Sequence, residues 1–197
     1  MSSYDRLRVL WPDHLGLARG KYLPWRIADR GASFCVGTYL LDYQRTILDV
    51  NIGVDPTGLP DVDAVYAMHD VRPSWEEGTG IIVADLEFHH EPYTVSARHA
   101  LRTAIADWQE LGYQPKIGIE LEAYLFEPDG HGGWKPIDTP GGHVYGTGRA
   151  VDPTGFLDEL METADRVGLP VESINSEYDV PQFELTLEYR DALGAVD

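Results

Sequence analysis

A β-strand is predicted at Gly118-Ile119-Glu120-Leu121-Glu122-Ala123-Tyr124-Leu125-Phe126, where apolar residues alternate with the others. Successive side chains of a strand point to opposite faces of its sheet. One predicted face therefore carries Ile119, Leu121, Ala123 and Leu125, and the other carries Glu120, Glu122, Tyr124 and Phe126. Two carboxylates thus lie side by side on one face.

The Glu120 and Glu122 pair has two interpretations. Neighbouring anions repel each other, and a hard divalent cation bound between them relieves that repulsion. A strand of this kind is more often just the solvated face of a sheet edge. The pair by itself does not decide between a metal site and a solvated edge.

A second acidic segment runs from residue 171 to residue 188 with the sequence VESINSEYDVPQFELTLE. It is predicted to form two short strands around a turn at Asp179 to Pro181, with carboxylates where a core strand should be apolar. Glu172 and Glu177 are an odd number of residues apart and would face opposite sides of a regular strand. Both reach one site only if the strand bends or bulges near residues 174–176.

The two segments together resemble the glutamine synthetase family. The resemblance rests on Gly-x-Glu-x-Glu-x-x-Leu-Phe from Gly118, followed by Glu-x-x-x-x-Glu-x-x-x-x-Gln-x-Glu from Glu172. Arg19-Gly20-Lys21 and Pro73-Ser74-Trp75 are also similar to that family, although Arg19 and Lys21 read by themselves as surface charges. The resemblance covers most of the chain.

The resemblance implies a role for particular residues. Glu122, Glu177 and Glu184 resemble ligands of a metal on the amino-acid side, and Glu120 resembles the ligand of a nucleotide-side metal. The resemblance further implies that Glu172 contacts the nucleotide and that Tyr145 lines the acceptor pocket. It also implies that Asp42 stands in for the aspartate of the acceptor loop. A buried structural role is an open alternative for Tyr145. Glu188 reads as structural or solvated. The implied cofactors are Mg²⁺ or Mn²⁺, with ATP as co-substrate.

Composition limits the class of protein. The 197 residues carry 15 basic against 33 acidic side chains, a formal net charge of −18, which argues against nucleic acid and anionic membranes as partners. The single cysteine, Cys35, cannot form an intrachain disulfide. Neither a zinc-type Cys/His cluster nor a signal peptide nor a transmembrane run is recognised, so a cytoplasmic protein is expected.

The predicted fold class is α+β, with a boundary near residue 95. Residues 1–95 read as strands around one short helix, at 24–31, with strands near 7–11, 37–41, 64–68 and 81–88. The family resemblance implies a β-grasp-like domain here, although propensities alone allow other α+β folds. Residues 96–197 are predicted to form the first part of a glutamine synthetase-type catalytic α/β domain. Its helices begin after the N-cap candidates Ser96 and Asp152.

Two departures from the glutamine-forming enzymes are visible. Asn175 and Ser176 stand where those enzymes carry two histidines, and residues 41–46, LDYQRT, replace an Asp-Gly-Ser-Ser loop that helps to bind ammonium. Asp42 is the residue that can stand in for the loop aspartate. The pattern resembles the branch of the family that joins glutamate to larger amines, and the ammonium site is in doubt.

The function predicted from the resemblance is an ATP-dependent ligase that activates the γ-carboxylate of glutamate as an acyl phosphate and joins it to an amine or ammonia. The chain ends in what looks like the opening of a helix, so the whole protein is expected to be longer, a ring-shaped homo-oligomer, and this portion inactive alone. The alternatives are a non-catalytic homologue and a metal-dependent hydrolase. Retention of mutually repelling carboxylates disfavours the non-catalytic homologue.

Overall fold

The computed structural model describes residues 4–197, which form two compact units. The first unit contains the described residues up to Gln114 together with Asp197, and the second unit runs from Pro115 to Val196. The predicted domain boundary near residue 95 stays a prediction.

The first unit is built mainly from strands with one long helix. The strands are β1 (Arg6–Pro12), β2 (Ala18–Pro24), β3 (Ala32–Cys35), β4 (Asp61–Val65), β5 (Arg72–Pro73), β6 (Thr79–Val83), β7 (Asp85–Phe88) and β8 (Glu91–Pro92). They form two sheets with the strand orders β2-β1-β6-β5 and β3-β4-β7-β8. Short 3-10 helices occupy Trp25–Arg30, Val36–Leu40 and Met68–Asp70.

Strand β1 lies inside the first sheet, and its alternate side chains pack in the core. Leu7, Val9 and Trp11 are buried, and the strand pairs with β2 on one side and, in parallel, with β6 on the other. The ring of Trp11 stacks on Tyr39 with centroids 5.5 Å apart, and Tyr39 in turn meets Tyr93 edge to face. Burial of such rings supplies much of the apolar stabilisation of a small unit.

The strand prediction for residues 37–41 is wrong. Residues 37–40 lie in the 3-10 helix Val36–Leu40, which buries Val36, Tyr39 and Leu40, and Leu41 is its C-cap residue. Spacings of three and four residues place side chains on one helical face, whereas a strand would bury alternate residues. The predicted strand at 81–88 is two strands, β6 and β7, and the one predicted at 64–68 is β4, which lies earlier at Asp61–Val65.

Helix α1 spans Ala97–Glu110 and follows Ser96, as predicted from the sequence. Arg98 and Arg102 on its first turns both bind the carboxylate of Asp85 in β7, at 2.9 and 2.8 Å. The helix ends at Leu111 and Gly112, where the glycine adopts the positive φ of 84° that suits a helix terminus.

The second unit alternates strands with a second helix. Its elements are β9 (Lys116–Ile117), β10 (Glu120–Tyr124), β11 (Phe126–Pro128), β12 (Trp134–Pro136), α2 (Phe156–Val167), β13 (Val171–Ser176), β14 (Gln182–Leu187), β15 (Arg190–Asp191) and α3 (Ala192–Val196). Strands β10, β14 and β13 form an antiparallel sheet in that order. The hairpin β11-β12 and the pair β15-β9 complete the strand pairing.

Buried residues of β14 hold the second unit together. Phe183, Leu185 and Leu187 are buried, while the alternate residues of the strand are half-buried. The ring of Phe183 lies 5.4 Å from that of Phe156 at the start of α2, so the helix covers the apolar face of the sheet. The other face is left for polar side chains.

The structure is a mixed assembly of helices and strands, as the sequence predicts, while the β-grasp character of residues 1–95 stays a prediction. Among residues 4–197, none of the helices combines the length and apolar character needed to cross a bilayer.

Candidate active site

One face of the β10-β14-β13 sheet collects the acidic residues, and we call it the carboxylate face. Register pairing places Glu120 opposite Thr186, Glu122 opposite Glu184 and Tyr124 opposite Gln182. On the far side of β14, Asn175 is the partner of Glu184. The carboxylate face consists of Glu120, Glu122, Tyr124, Gln182, Glu184, Thr186, Ser173, Asn175 and, just beyond β13, Glu177.

Glu122 and Glu184 are the central pair of this face. They are direct cross-strand partners, and side chains in such positions are close neighbours. Each carboxylate also accepts a hydrogen bond from a neutral donor: Glu122 from the Gln182 amide at 2.8 Å, and Glu184 from the Thr186 hydroxyl at 2.7 Å. These donors offset part of the repulsion between the two anions.

Glu177 joins the same face through Asn175. The side-chain amide of Asn175 donates to Glu177 at 3.0 Å, and the backbone N–H of Glu177 donates to the carbonyl of Gln182. The register and these contacts place Glu122, Glu177 and Glu184 on one face. Their role as metal ligands stays a prediction.

Tyr124 and Asp179 form a contact that the sequence did not indicate. The Tyr124 hydroxyl donates to Asp179 at 3.0 Å, and this hydrogen bond to a carboxylate raises the pKa of Tyr124 above its ordinary value of 10.0. Alternation along β10 placed Tyr124 on the carboxylate face, but nothing in the sequence pairs it with a turn residue 55 positions away.

Glu172 lies where β13 departs from regular pairing. The register shifts between Val171 and Ser173, so Glu172 is the extra residue of a bulge and is exposed. The predicted irregularity in this strand is present, but it lies before residues 174–176 rather than within them. Pairing from Ser173 onward is regular, which places Asn175 on the carboxylate face.

Ser176 fixes the loop that carries Tyr145. The buried Ser176 hydroxyl donates to the carbonyl of His143 at 2.6 Å, and the backbone N–H of Tyr145 donates to the carbonyl of Ser176. Tyr145 itself has a φ of 60° and is 72% exposed, so the alternative of a buried structural tyrosine is wrong. Asn175 and Ser176, which replace the histidine pair of the glutamine-forming enzymes, thus have structural contacts of their own. Asn175 hydrogen-bonds Glu177, and Ser176 anchors the loop of Tyr145.

Asp42 belongs to the first unit, where it closes a tight turn. Its carboxylate accepts from the backbone N–H of Thr46 at 2.8 Å, and its own N–H donates to the carbonyl of Thr46 at 3.1 Å. Arg45 in the same turn is exposed and adopts a φ of 66°. The contribution of Asp42 to an acceptor pocket stays a prediction.

The donor chemistry of the carboxylate face fits a hard divalent cation, because its ligands are carboxylate oxygens. In the arrangement found across residues 4–197, no three His, Cys, Asp or Glu side chains converge closely enough to enclose an ion. The carboxylates instead accept hydrogen bonds from Gln182, Thr186 and Asn175. Metal binding on this face therefore requires the glutamate side chains to move closer together than they lie here.

Comparison with known families identifies the second unit and the end of the first. The family model described as "glutamine synthetase, catalytic domain" matches residues 94–197, more than half of the sequence. This chain belongs to the glutamine synthetase family. The match includes every acidic residue of the carboxylate face.

Two curated relatives illustrate the range of the glutamine synthetase family around this chain. Glutamate–isopropylamine ligase of Pseudomonas sp. is 28% identical over 72% of the chain and 32% of its own length. A glutamine synthetase of Clostridium saccharobutylicum is 31% identical over 70% of the chain and 31% of its own length. The chain thus spans about a third of each of these relatives.

A solved structure supports the same fold. The structure named "Apo GmaS without ligand" superposes with a TM-score of 0.76 at 25% identity, covering 97% of this chain and 44% of that chain. The mixed α/β fold of both units is therefore found in glutamine synthetase-type structures.

Proposed function

We propose that this chain carries part of the active site of an ATP-dependent ligase that joins the γ-carboxylate of glutamate to an amine or to ammonia. Membership of the glutamine synthetase family supports the reaction class. The observation that carries the proposal is the cross-strand pair Glu122 and Glu184 on a face shared with Glu120 and Glu177. A fold without this chemistry gains nothing from clustering four anions.

The proposed reaction has two steps. The γ-carboxylate of glutamate attacks the γ-phosphorus of ATP and releases ADP, giving an acyl phosphate. The amine then attacks the acyl carbon, phosphate leaves, and the amine loses a proton as the amide forms. Mg²⁺ or Mn²⁺, when bound, supplies the positive charge that lets glutamate and the triphosphate approach each other.

Different glutamates are proposed to bind the two cations. Glu122, Glu177 and Glu184 are proposed to hold the cation on the glutamate side, and Glu120 the cation on the nucleotide side. Gln182, Asn175 and Thr186 orient the carboxylates through the hydrogen bonds described above. Hydrogen bonds of this kind limit the orientations of a carboxylate and so reduce the reorganisation that metal binding requires.

Three further residues are proposed to contact the nucleotide or the acceptor. Glu172 is proposed to contact the nucleotide, since the bulge of β13 exposes it. Tyr145 is proposed to line the acceptor pocket, and its exposed ring on a loop anchored by Ser176 supports this. Asp42 is proposed to approach the acceptor from the turn it closes. A ring-shaped assembly and a cytoplasmic location are proposed for the whole protein.

Binding of Mn²⁺ tests the proposed site directly. In titration calorimetry of this chain, Glu122→Ala is expected to weaken Mn²⁺ binding at least tenfold, whereas Glu188→Ala, also an exposed glutamate but beyond the end of β14, is expected to leave it unchanged. Equal effects of the two substitutions remove Glu122 from the site.

Activity of the whole protein tests the reaction class. ADP formation that requires both glutamate and an amine is expected of the ligase. ADP or phosphate released at the same rate without glutamate and amine contradicts the ligase and favours a metal-dependent hydrolase.

A further inference from the structure

The turn between β13 and β14 is tied to β10 by a side-chain contact. Tyr124, the last residue of β10, donates its hydroxyl hydrogen to Asp179 in that turn at 3.0 Å. Tyr124 is also the cross-strand partner of Gln182, the first residue of β14. Tyr124 therefore joins the edge strand to the turn and to the start of β14.

Backbone hydrogen bonds carry this contact to the acidic residues. The N–H of Gln182 donates to the carbonyl of Asp179 at 2.9 Å, and the N–H of Glu177 donates to the carbonyl of Gln182 at 3.0 Å. The side chain of Gln182 then returns to Glu122 at 2.8 Å. The chain of contacts from Tyr124 through Asp179 and Gln182 thus ends on the carboxylates proposed to bind the cation.

We propose that Tyr124 is a positioning residue of the carboxylate face. Its hydrogen bond to Asp179 holds the turn against β10 and so fixes Glu177 and Gln182 beside Glu122. Tyr124 itself does not bind the cation. The consequence for metal affinity rests on the proposed function, whereas the effect on the turn does not.

The size of the effect is set by the exposure of the pair. Tyr124 and Asp179 are both exposed, so water competes for their hydrogen bond and limits its net contribution. Loss of the Tyr124 hydroxyl is expected to weaken Mn²⁺ binding by about two- to tenfold. A direct ligand would cost far more when removed.

Two measurements on the 197-residue chain test the proposal: Mn²⁺ affinity by electron paramagnetic resonance of free Mn²⁺, and amide hydrogen exchange in the metal-free chain. Tyr124→Phe is expected to weaken Mn²⁺ binding as stated and to speed exchange of the Gln182 and Glu177 amides. Tyr178→Phe removes a hydroxyl from the neighbouring, 82% exposed tyrosine of the same turn and is expected to change neither.

Substitutions at Asp179 separate positioning from direct ligation. Asp179→Ala is expected to match Tyr124→Phe, and the double variant is expected to be no worse than either single one, because one hydrogen bond is lost in each case. Asp179→Asn keeps an acceptor oxygen and is expected to stay close to the unsubstituted chain. Additive effects, or equal losses in Asp179→Asn and Asp179→Ala, overturn the proposal.

The two measurements also distinguish failure of this inference from failure of the proposed function. Unchanged amide exchange in Tyr124→Phe overturns the positioning role, whatever the measured Mn²⁺ affinity. Faster exchange together with no Mn²⁺ binding by the unsubstituted chain supports the role of Tyr124 in the turn and contradicts the proposed metal site instead.

Discussion

Asp152 shows how a single buried carboxylate can set the start of a helix. It accepts hydrogen bonds from the Thr154 hydroxyl at 2.7 Å and from the backbone N–H groups of Gly155 and Leu157 at 3.0 and 2.8 Å. The first N–H groups of a helix lack partners within the helix, so such a side chain satisfies them. Asp152 therefore stabilises the first turn of α2 from just before the helix.

We expect Asp152→Ala to lower the free energy of unfolding by about 1–2 kcal/mol, because it leaves helix N–H groups without their acceptor. Asp165→Ala, at an exposed position near the end of α2, serves as the control and is expected to change stability by less than about 0.5 kcal/mol. Urea unfolding followed by circular dichroism measures both. Equal losses in the two variants would contradict a capping role for Asp152.

The stabilisation by Asp152 is also expected to depend on pH. Burial favours the neutral acid, but hydrogen bonds from Thr154 and from backbone N–H groups outweigh burial and lower the pKa of Asp152 below 3.8. A lowered pKa in the folded state means that the contribution is present above pH 3.8 and is lost as the pH falls through the folded value. The difference between the original chain and Asp152→Ala should shrink in that range.

At the residue scale, the sequence identified which residues stabilise a helix start better than it located the residue at which the helix begins. Asp152 was predicted as the N-cap residue of α2, yet the structural cap is Gly155, in a left-handed conformation with a φ of 78°. An aspartate near a helix start is recognisable from its chemistry, but the turn it forms with Thr154 depends on backbone angles that composition does not specify. The Tyr124 and Asp179 pair was missed because it joins a strand to a turn that only folding brings together.

At the element scale, Ser176 links β13 to the loop that carries Tyr145. We expect Ser176→Ala to lower the free energy of unfolding by about 1 kcal/mol, because the substitution removes the buried hydroxyl that hydrogen-bonds the carbonyls of His143 and Gly146. Ser173→Ala lies on the same strand at an exposed position and is expected to have little effect. Urea unfolding of both variants measures the difference. If Ser173→Ala costs as much as Ser176→Ala, the loss reflects strand propensity rather than the loop contact.

Two strands of the second unit were predicted from the sequence, although β10 is shorter than the strand predicted at residues 118–126 and Phe126 belongs to β11. Alternation located β10 and β14 because each has one apolar face and one polar face. The same pattern failed at residues 37–41, where Val36, Tyr39 and Leu40 turn toward the core with helical spacing. A short apolar run is compatible with both the alternation of a strand and the spacing of a helix, and the surrounding packing decides which one forms.

At the scale of the whole molecule, exposed apolar residues predict self-association. Trp108 and Leu111 of the first unit are 51% and 69% exposed, and Leu121 and Trp134 of the second unit are 49% and 71% exposed. Apolar groups in water favour association, whereas a net charge of −18 opposes it. We therefore expect association that increases with concentration and with added salt, which screens the charge.

Light scattering after size-exclusion chromatography measures this association. Trp108→Glu is expected to reduce it, whereas Gln109→Glu, which adds the same charge at the next exposed position of α1, should reduce it less. A mass of 22.0 kDa for the original chain at every concentration and salt level would contradict the prediction.

The acceptor of the proposed ligase is the property that the sequence leaves most open, and the Asp42 turn bears on it. An ammonium site needs closely spaced acidic and hydroxyl groups to replace the hydration of a small cation. Asp42 instead directs one carboxylate oxygen to the N–H of Thr46, in a turn that also carries the cation Arg45. An amine with a carbon chain gains roughly 0.8 kcal/mol for each methylene that it buries, so it depends less on such groups.

We therefore expect the whole protein to prefer a primary alkyl amine, such as a polyamine or ethanolamine, over ammonium. Phosphate release assayed with glutamate, ATP and a panel of amines gives kcat/KM for each acceptor. Arg45→Asn removes the positive charge and suits the left-handed backbone at this position, where φ is 66°. With the turn at the acceptor, as proposed, this substitution should raise kcat/KM for ammonium, because the Arg45 cation would repel it. Arg26→Asn should leave the ratio of kcat/KM values between acceptors unchanged. A kcat/KM with ammonium at or above that of every organic amine would assign the protein to ordinary glutamine synthesis.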